Sequence, residues 1–334
     1  MRVSWLIPIR DAERWIHGCL ESVLADCSEV DEVIVVDDGS NIEQRRFFPV
    51  DPRIRYFRQQ ANGIVAALEQ GRAMAVGRYI ARMDGDDFNI AGRLNAQVAY
   101  LEENPSCGTV GGKALLFSEL DTENEGMQRY VKWVNSIRNC DKALFIESPM
   151  FHPATLIPRH ILDQVGGYRD GDFPEDYELW LRIANHGYDL YNLDQPVVRI
   201  RDHGQRLTRN DTRYRKKAFL HLKKEYLPTH LKKKLRHVGI WGAGKGAKPW
   251  IAWLRQRGYS LSIFDSFAKG NRHGIPILEP QALVNSQIDY LFVAVGARGA
   301  KPLISAFLSE TLDWKEGEPV RHRLGVTRSM RTIY

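Results

Sequence analysis

Several features that would assign this chain of 334 residues to a familiar class are scarce or missing. Its four cysteines, Cys19, Cys27, Cys107 and Cys140, form no CxxC pair, which excludes a zinc ribbon and a disulfide framework and fits a reducing, cytoplasmic location. The mean hydropathy of -0.38 and the lack of an apolar run of about 18 residues exclude a transmembrane helix. Only a short apolar stretch follows Arg2, so we expect no signal peptide.

The net charge of +6 comes from one segment. Between Gln205 and Val238 there are twelve Lys and Arg residues and two acids, Asp211 and Glu225, so the rest of the chain is acidic overall. The segment is predicted to contain a helix that Pro228 interrupts. A solvated connecting helix is one interpretation, and a surface for anionic lipid or a lipid-diphosphate acceptor is another. No nucleic-acid motif accompanies the charge, so we expect no nucleic-acid partner.

The first part of the chain alternates apolar runs with helical periodicity. The predicted strands lie at 3–8, 33–36, 54–57 and 79–83, and the predicted helices at 15–23 and 64–75. This order favours a parallel sheet whose loops gather at its carboxyl edge, where open α/β sheets bind ligands. Two acidic runs, Asp37-Asp38-Gly39-Ser40 and Asp84-Gly85-Asp86-Asp87, follow predicted strands. We therefore expect both runs at that edge.

The run from Asp84 to Asp87 is the most informative local feature. Three carboxylates in four residues repel one another unless a cation lies among them, and their hard oxygen ligands suit Mg²⁺ or Mn²⁺ together with diphosphate oxygens. A solvated acidic loop is the alternative.

Two further acidic pairs allow both a structural and a functional interpretation. Asp37 and Asp38 would form a turn with Asx caps, or a carboxylate there would accept hydrogen bonds from a uracil or guanine N–H. Glu175 and Asp176 begin a predicted helix, where acids stabilise the first turn. Asp176 is also placed to act as a general base beside a pocket.

A set of motifs over residues 1 to about 210 resembles family 2 glycosyltransferases in order and spacing. The motifs are VSWLIP (3–8), VVDDGS (35–40), NGI (62–64), IARMDGDD (80–87), HPAT (152–155), GGY (166–168), EDYELWLR (175–182) and RDH (201–203). The resemblance implies a GT-A fold that binds a nucleotide-diphosphate sugar through Mn²⁺ or Mg²⁺. It also implies a single displacement by an acceptor hydroxyl with inversion at the anomeric carbon.

The resemblance assigns expected roles to individual side chains of this sequence. The residues expected at the nucleotide are Pro8, Ile9, Arg10, Asp11, Asp38 and Gly63, with Asp38 reading the base. Asp84 is expected to bind ribose or metal and Asp86 to hold the metal, while Asp87 gives a second DxD-like alignment. His203 matches a position that completes the metal site in some members. Asp176 matches the catalytic base, and Glu175 is its neighbour.

A second, smaller α/β pattern follows the basic segment. A predicted strand at 237–241 leads into a glycine-rich turn, and a strand at 260–264 ends at Asp265, as in a dinucleotide-binding fingerprint. Gly242 and Gly244 fit the glycine positions, and Asp265 fits the position of the ribose-binding acid. No Tyr of the chain is followed by Lys four positions later, so the pair used by short-chain sugar oxidoreductases is missing. The unit is expected to be Rossmann-like, with or without a bound nucleotide.

Together these observations predict a GT-A domain over 1–210, a basic helical linker over 211–236 and a Rossmann-like domain over 237–334. The expected function is metal-dependent, inverting transfer of a sugar from a UDP-sugar to a saccharide or lipid-linked acceptor in cell-surface glycan synthesis. The expected location is cytoplasmic, with contact to the inner face of an anionic membrane as one option. A nucleotide-sugar oxidoreductase or epimerase centred on the second unit, and a non-catalytic nucleotide-sugar sensor, are the alternative hypotheses. The sequence leaves the sugar, the acceptor and the oligomeric state open.

Overall fold

The computed structural model describes residues 3–119, 125–231, 236–297, 299–312, 319–321 and 327–332. By its internal contacts the chain divides into two compact units. The first unit comprises Met1–Leu144 and Ser148–Tyr226, and the second comprises Phe145–Glu147 and Leu227–Tyr334. The domain limits at 210 and 236 stay predictions.

A mixed eight-stranded sheet organises the first unit. Its strands are β1 (Val3–Ile9), β2 (Glu32–Asp38), β3 (Ile54–Gln59), β4 (Tyr79–Arg82), β5 (Phe88–Asn89), β6 (Cys107–Ser118), β7 (Leu156–Pro158) and β8 (Asp189–Asp202). The spatial order is β3-β2-β1-β4-β7-β6-β8-β5. The first four strands in that order are parallel neighbours, and β7 then pairs antiparallel with both β4 and β6.

Eight helices of the described residues accompany this sheet. They are α1 (Ile16–Leu24), α2 (Ile64–Met74), α3 (Arg93–Glu103), α4 (Glu125–Asn135), α5 (Arg159–Gln164), α6 (Glu175–Asn185), α7 (Leu207–Asn210) and α8 (Lys216–Leu231). The apolar positions that predicted the first helix, including Ile16, Leu20 and Val23, are buried in one core with Trp5 and Ile7 of β1. Burial of one helical stripe on the sheet therefore follows the periodicity of the sequence.

The predicted strands at 3–8, 33–36, 54–57 and 79–83 are confirmed as β1 to β4. β1 runs parallel to β2 and β4, with Ile9 beside Asp37 and Leu6 beside Arg82. Both acidic runs therefore begin where a parallel strand ends, and the prediction that they share one sheet edge is confirmed.

The second unit contains its own seven-stranded sheet. Its elements are β9 (His237–Trp241), α9 (Lys248–Gln256), β10 (Ser260–Phe264), β11 (Asn271–Arg272), β12 (Ile275–Leu278), β13 (Tyr290–Val293), α10 (Ala300–Leu312), β14 (Pro319–Arg321) and β15 (Thr327–Thr332). The spatial order is β11-β12-β10-β9-β13-β15-β14. The five central strands of that order are parallel, as expected for a second, smaller α/β unit.

The basic segment differs from its prediction in one respect. Its helix, α8, continues through Pro228 to Leu231, so the expected interruption is wrong. Pro228 lies in the last turn, where its missing N–H removes a single helical hydrogen bond and few residues follow. Lys232, Lys233 and Lys234 of this segment lie outside the described residues. No helix in the described part of the chain is long and apolar enough to cross a membrane.

Candidate active site

Three carboxylates meet in the loop that follows β4. Asp84, Asp86 and Asp87 each offer an oxygen, and these oxygens lie within 4.8 Å of one another. Gly85 permits this tight loop, because a Cβ at that position would lie 2.7 Å from Cγ2 of Ile9. The loop is closed by a hydrogen bond from the Asp87 N–H to the Asp84 carbonyl.

Each carboxylate of this cluster has a different Arg or His neighbour. Asp84 pairs with the guanidinium of Arg82, which is 2% exposed. The Oδ2 of Asp86 lies 2.7 Å from Nε2 of His203. The Oδ1 of Asp87 accepts the backbone N–H of Arg201 at 2.8 Å and lies 3.6 Å from Nη1 of Arg206.

Burial divides the cluster into two environments. Asp87 is 0% exposed, and its Oδ2 has no hydrogen-bond partner within the part of the chain that is described. Burial and the charge of Asp86 raise the pKa of Asp87 well above its ordinary value. Burial also opposes ionisation of Asp86, but the His203 ring and the Arg206 charge lower its pKa overall. An enclosed carboxylate oxygen without a donor, beside two further carboxylates, has the chemistry of a site for a hard divalent cation.

Glu175 and Asp176 begin α6 and occupy different surroundings. Glu175 is 1% exposed; its Oε1 lies 3.7 Å from Nδ1 of His152, and its Oε2 accepts the hydroxyl of Tyr214 at 3.2 Å. Asp176 is partly exposed, and among described residues its carboxylate accepts one hydrogen bond, from the N–H of Tyr177 at 2.7 Å. Asp176 therefore keeps an oxygen that is able to accept a proton.

The pKa of Asp176 is raised to about 8, first by desolvation and then by the charge of Glu175. The charge of Arg82 lowers this pKa and that of Asp84 raises it. Arg82 is thus paired with Asp84 and acts electrostatically on Asp176, which connects the end of β4 with the start of α6. The interpretation of Asp176 as a helix cap also has support, because it accepts an N–H of the first turn.

The segment from Pro8 to Asp11 follows the buried part of β1. Ile9 is buried, Pro8 is partly buried and Arg10 is exposed. Asp11 has a φ of 49° and accepts the N–H of Asn41 at 2.7 Å. These contacts attach the loop after β1 to the loop after β2, so two of the segments predicted to hold a nucleotide meet.

Asp38 already has partners within the protein. Its Oδ1 accepts the Gln59 amide and the Asn62 N–H, both at 2.8 Å, and its Oδ2 accepts the Gly63 N–H at 2.9 Å. Gly63 has a φ of 91°, a conformation that favours glycine. Asp38 and Gly63 are therefore adjacent, and base recognition by Asp38 would use the remaining lone pairs of its oxygens.

In the second unit, Asp265 also organises its own loop. Its Oδ2 accepts the Ala243 N–H at 2.7 Å, and its Oδ1 accepts the Phe267 and Ala268 N–H groups at 2.9 Å. Burial opposes its ionisation, but these backbone N–H groups lower the pKa of Asp265 overall. Gly242 packs against the Ala294 carbonyl, whereas a Cβ at Gly244 would meet open space.

Several site residues are absent from the sequence-based assignment. They are Arg82, His152, Arg201, Arg206 and Tyr214. Arg82 carries a signal in the sequence, since it is a charged residue at the end of an otherwise apolar strand. His152 and Arg201 lie in the HPAT and RDH motifs but are given no role there, and the proximity of all four remaining residues to the acids depends on tertiary structure.

Comparisons with known proteins agree with this geometry. The sequence profile of glycosyl transferase family 2 matches residues 4–166, which include the cluster at 84–87. The amylovoran biosynthesis glycosyltransferase AmsE of Erwinia amylovora is 25% identical over 230 residues, covering 67% of this chain and 82% of that protein. An Escherichia coli UDP-Gal:alpha-D-GlcNAc-diphosphoundecaprenol beta-1,3-galactosyltransferase is 28% identical over 208 residues, covering 60% and 73% respectively.

A solved structure has the same fold. TarS 1-349 of S. aureus, in complex with UDP-GlcNAc, aligns with a TM-score of 0.51 and 14% identity over 77% of this chain and 80% of that one. Sequence profile, relatives and fold agree with one another. The chain is a glycosyltransferase with a GT-A fold, and its residues 4–166 match glycosyl transferase family 2.

Proposed function

We propose that this glycosyltransferase moves a sugar from a UDP-sugar to a hydroxyl group of a saccharide or lipid-linked acceptor, with inversion, in a metal-dependent reaction. One observation carries the proposal: the molecule has both a carboxylate cluster at 84–87 and a proton-accepting Asp176. The charges of Arg82 and Asp84, at and after the end of β4, act on the pKa of Asp176. The name of the E. coli relative supports both the donor class and the lipid-diphosphate acceptor.

The donor diphosphate is assigned to the loop after β4. Asp84, Asp86 and Asp87 would hold Mn²⁺ or Mg²⁺. His203 would give up its hydrogen bond to Asp86 and act as a further ligand. When bound, such an ion neutralises charge that develops on a leaving diphosphate. The nucleotide is assigned to Pro8, Ile9, Arg10 and Asp11, together with the adjacent Asp38 and Gly63.

The proton transfer is assigned to Asp176. Its carboxylate accepts the proton of the acceptor hydroxyl while the oxygen of that hydroxyl forms a bond to the anomeric carbon. The bond from the anomeric carbon to the diphosphate breaks on the opposite face, and the electron pair leaves with the diphosphate. Glu175, buried behind Asp176, supplies negative charge that increases the basicity of its neighbour.

The basic segment is assigned to the acceptor side. Arg215, Lys216 and Lys217 are exposed at the start of α8. Cationic side chains of this kind attract a membrane leaflet that contains anionic lipid, where a lipid-linked acceptor would reside. The second unit is proposed as a Rossmann-like module that takes no part in the chemical step, and a nucleotide bound there would contact Gly242, Gly244 and Asp265.

Product analysis tests this function directly. Purified full-length protein is incubated with UDP-galactose, a GlcNAc-diphosphate-lipid acceptor and Mn²⁺ or EDTA, and the product is examined by NMR. We expect a β-linked product, inverted relative to the α-linked donor, that forms with Mn²⁺ and is absent with EDTA. A retained configuration, or equal rates with EDTA, would contradict the proposed mechanism. If UDP-galactose gives no product, a panel of other UDP-sugars shows whether the protein uses a different donor or does not catalyse this transfer.

A further inference from the structure

The two acids at the start of α6 have unequal hydrogen-bonding partners. Glu175 is enclosed and faces a side chain on each oxygen, His152 on one and the Tyr214 hydroxyl on the other, at 3.7 and 3.2 Å. Asp176 accepts only the Tyr177 N–H among described residues. A buried carboxylate that accepts a hydroxyl hydrogen bond and faces an imidazole is stabilised in its charged form, whereas a carboxylate with fewer side-chain partners takes up a proton more readily.

The partners of Glu175 come from separate segments. His152 lies before β7 and its Nε2 is 3.4 Å from the hydroxyl of Tyr168. Tyr214 ends a short 3-10 turn that Asp211 caps by accepting the N–H of Arg213 at 2.8 Å. The backbone of Tyr214 is therefore held by local structure in its own segment.

Charged groups around Glu175 and Asp176 also affect the pKa of each acid. The other titratable or charged groups that face the pair are Arg82 at the end of β4, Asp84 after it, Tyr168 after α5, and Arg213 beside Tyr214. Arg82 lowers the pKa of both acids, and Asp84 raises that of Asp176. Arg213 is paired with Asp211 at 2.7 Å, which reduces its effect on Glu175.

We propose that Tyr214 is a positioning residue for transfer that acts through Glu175. Its hydroxyl holds Glu175 charged and in a fixed place, so that the exchangeable proton of the acidic pair resides on Asp176. The inference deepens the proposed function and rests on it, since its purpose depends on Asp176 being the base.

A tyrosine suits this role better than a cationic side chain. A neutral hydroxyl stabilises the Glu175 charge without cancelling it, so the negative field that acts on Asp176 is kept. Burial and the charges of Glu175 and Asp176 raise the pKa of Tyr214, which keeps its hydroxyl protonated and able to donate. Lys or Arg at this place would neutralise Glu175 and reduce the basicity of Asp176.

Carboxyl ¹³C NMR titration of the full chain tests the inference without any substrate or metal. The signals of Glu175 and Asp176 are assigned by their loss in Glu175→Gln and Asp176→Asn. In Tyr214→Phe we expect the midpoint of the Glu175 titration to rise by about one pH unit, because the carboxylate loses one hydrogen-bond donor. The matched control is Tyr177→Phe, which also removes a buried hydroxyl of this region, one that donates to the Leu144 carbonyl. This control should leave the midpoint unchanged.

A second variant tests the other step of the inference, the effect of the Glu175 charge on Asp176, without any change at Tyr214. In Glu175→Gln the midpoint of Asp176 should fall by at least about one unit, since the neighbouring charge is removed. An unchanged Asp176 midpoint there, an unchanged Glu175 midpoint in Tyr214→Phe, or an equal shift in Tyr177→Phe would overturn the inference.

Steady-state kinetics separates this inference from the proposed function. With UDP-galactose, Tyr214→Phe should lower kcat several-fold and leave the donor KM unchanged, because Tyr214 acts on the proton transfer rather than on the donor. Normal kcat in Tyr214→Phe with an inactive Asp176→Asn would contradict the inference alone. Normal turnover in Asp176→Asn would contradict the proposed base, whatever the titration shows.

Discussion

Two acids, Asp87 of the first unit and Asp265 of the second, lie near the ends of parallel strands and differ in what surrounds them. Asp87 has one oxygen bonded to the Arg201 N–H and another without a donor among the described residues, and two more carboxylates lie beside it. Asp265 has both oxygens bonded to backbone N–H groups, one to that of Ala243 in the turn after β9 and the other to those of Phe267 and Ala268 in its own loop. A strand-end acid is therefore a candidate for ligand binding when other charged groups converge on it, and a loop anchor when the backbone satisfies it.

The largest expected effect concerns the acidic cluster. Asp86→Ala should abolish the dependence of UDP-sugar binding on Mn²⁺, because it removes one of three neighbouring carboxylate ligands. Isothermal titration with UDP-galactose, with and without Mn²⁺, measures the change. Asp189→Ala, which removes an exposed acid outside the cluster, is the control and should bind as the wild type does. Unchanged Mn²⁺-dependent affinity in Asp86→Ala would remove the cluster from donor binding.

The pH dependence of transfer should show the raised pKa of Asp176. Below about pH 8 this carboxyl is increasingly protonated and unable to accept a proton, so kcat should fall about tenfold for each unit of decreasing pH. Above that pH the rate should level off. Glu175→Gln should move the rising limb to lower pH, because it removes a negative charge beside Asp176. A flat profile between pH 6 and 9 would be inconsistent with a base of this kind.

A smaller effect is expected at the membrane. Lys216→Gln combined with Lys217→Gln should weaken binding to phosphatidylglycerol vesicles several-fold at low salt, since each cation near an anionic surface contributes about 1 kcal/mol. Raised ionic strength should abolish the difference. Arg45→Gln with Arg46→Gln, an adjacent exposed basic pair elsewhere in the first unit, is the matched control. Equal losses in the two double variants, or none, would argue against a specific role for the start of α8.

The smallest effect on transfer is expected at Asp265. Asp265→Ala should leave kcat within about threefold, because its hydrogen bonds lie within the second unit. The free energy of unfolding of the Asp265→Ala variant should fall by about 1–3 kcal/mol, since backbone N–H donors lose their acceptor. Asp289→Ala, which removes a carboxylate bonded to the Arg236 and His237 N–H groups, should be destabilised similarly. Loss of dinucleotide binding in Asp265→Ala alone, measured by thermal shift with NAD, would instead assign a ligand to this acid.

Features that depend on residues close together in the sequence could be predicted, and contacts between distant segments could not. β1 to β4 and β9 are formed by apolar runs, and Asp84, Asp86 and Asp87 are neighbours in the sequence, so local pattern was sufficient to predict them. The partners of these acids could not be predicted in this way. Arg201 and Asp87 are 114 positions apart, and His203 and Asp86 are 117 apart.

Pro228 and Tyr214 show two other limits of sequence analysis. Proline predicts a break, but its cost depends on the number of helical hydrogen bonds it removes, and in the last turn of α8 that number is small. Tyr214 lies in a segment whose most distinctive property is positive charge, and no sequence pattern there indicates a role for a neutral hydroxyl. Its importance depends on a contact with Glu175 across 39 positions.

The most direct test of the account compares donor binding and turnover in Asp176→Asn. This substitution keeps the size of the side chain and removes its ability to accept a proton at neutral pH. We predict that Mn²⁺-dependent UDP-galactose affinity stays within about threefold of wild type, and that turnover falls by roughly two to four orders of magnitude. An active Asp176→Asn, together with a folded but inactive Asp265→Ala, would contradict the account and place the active centre in the second unit.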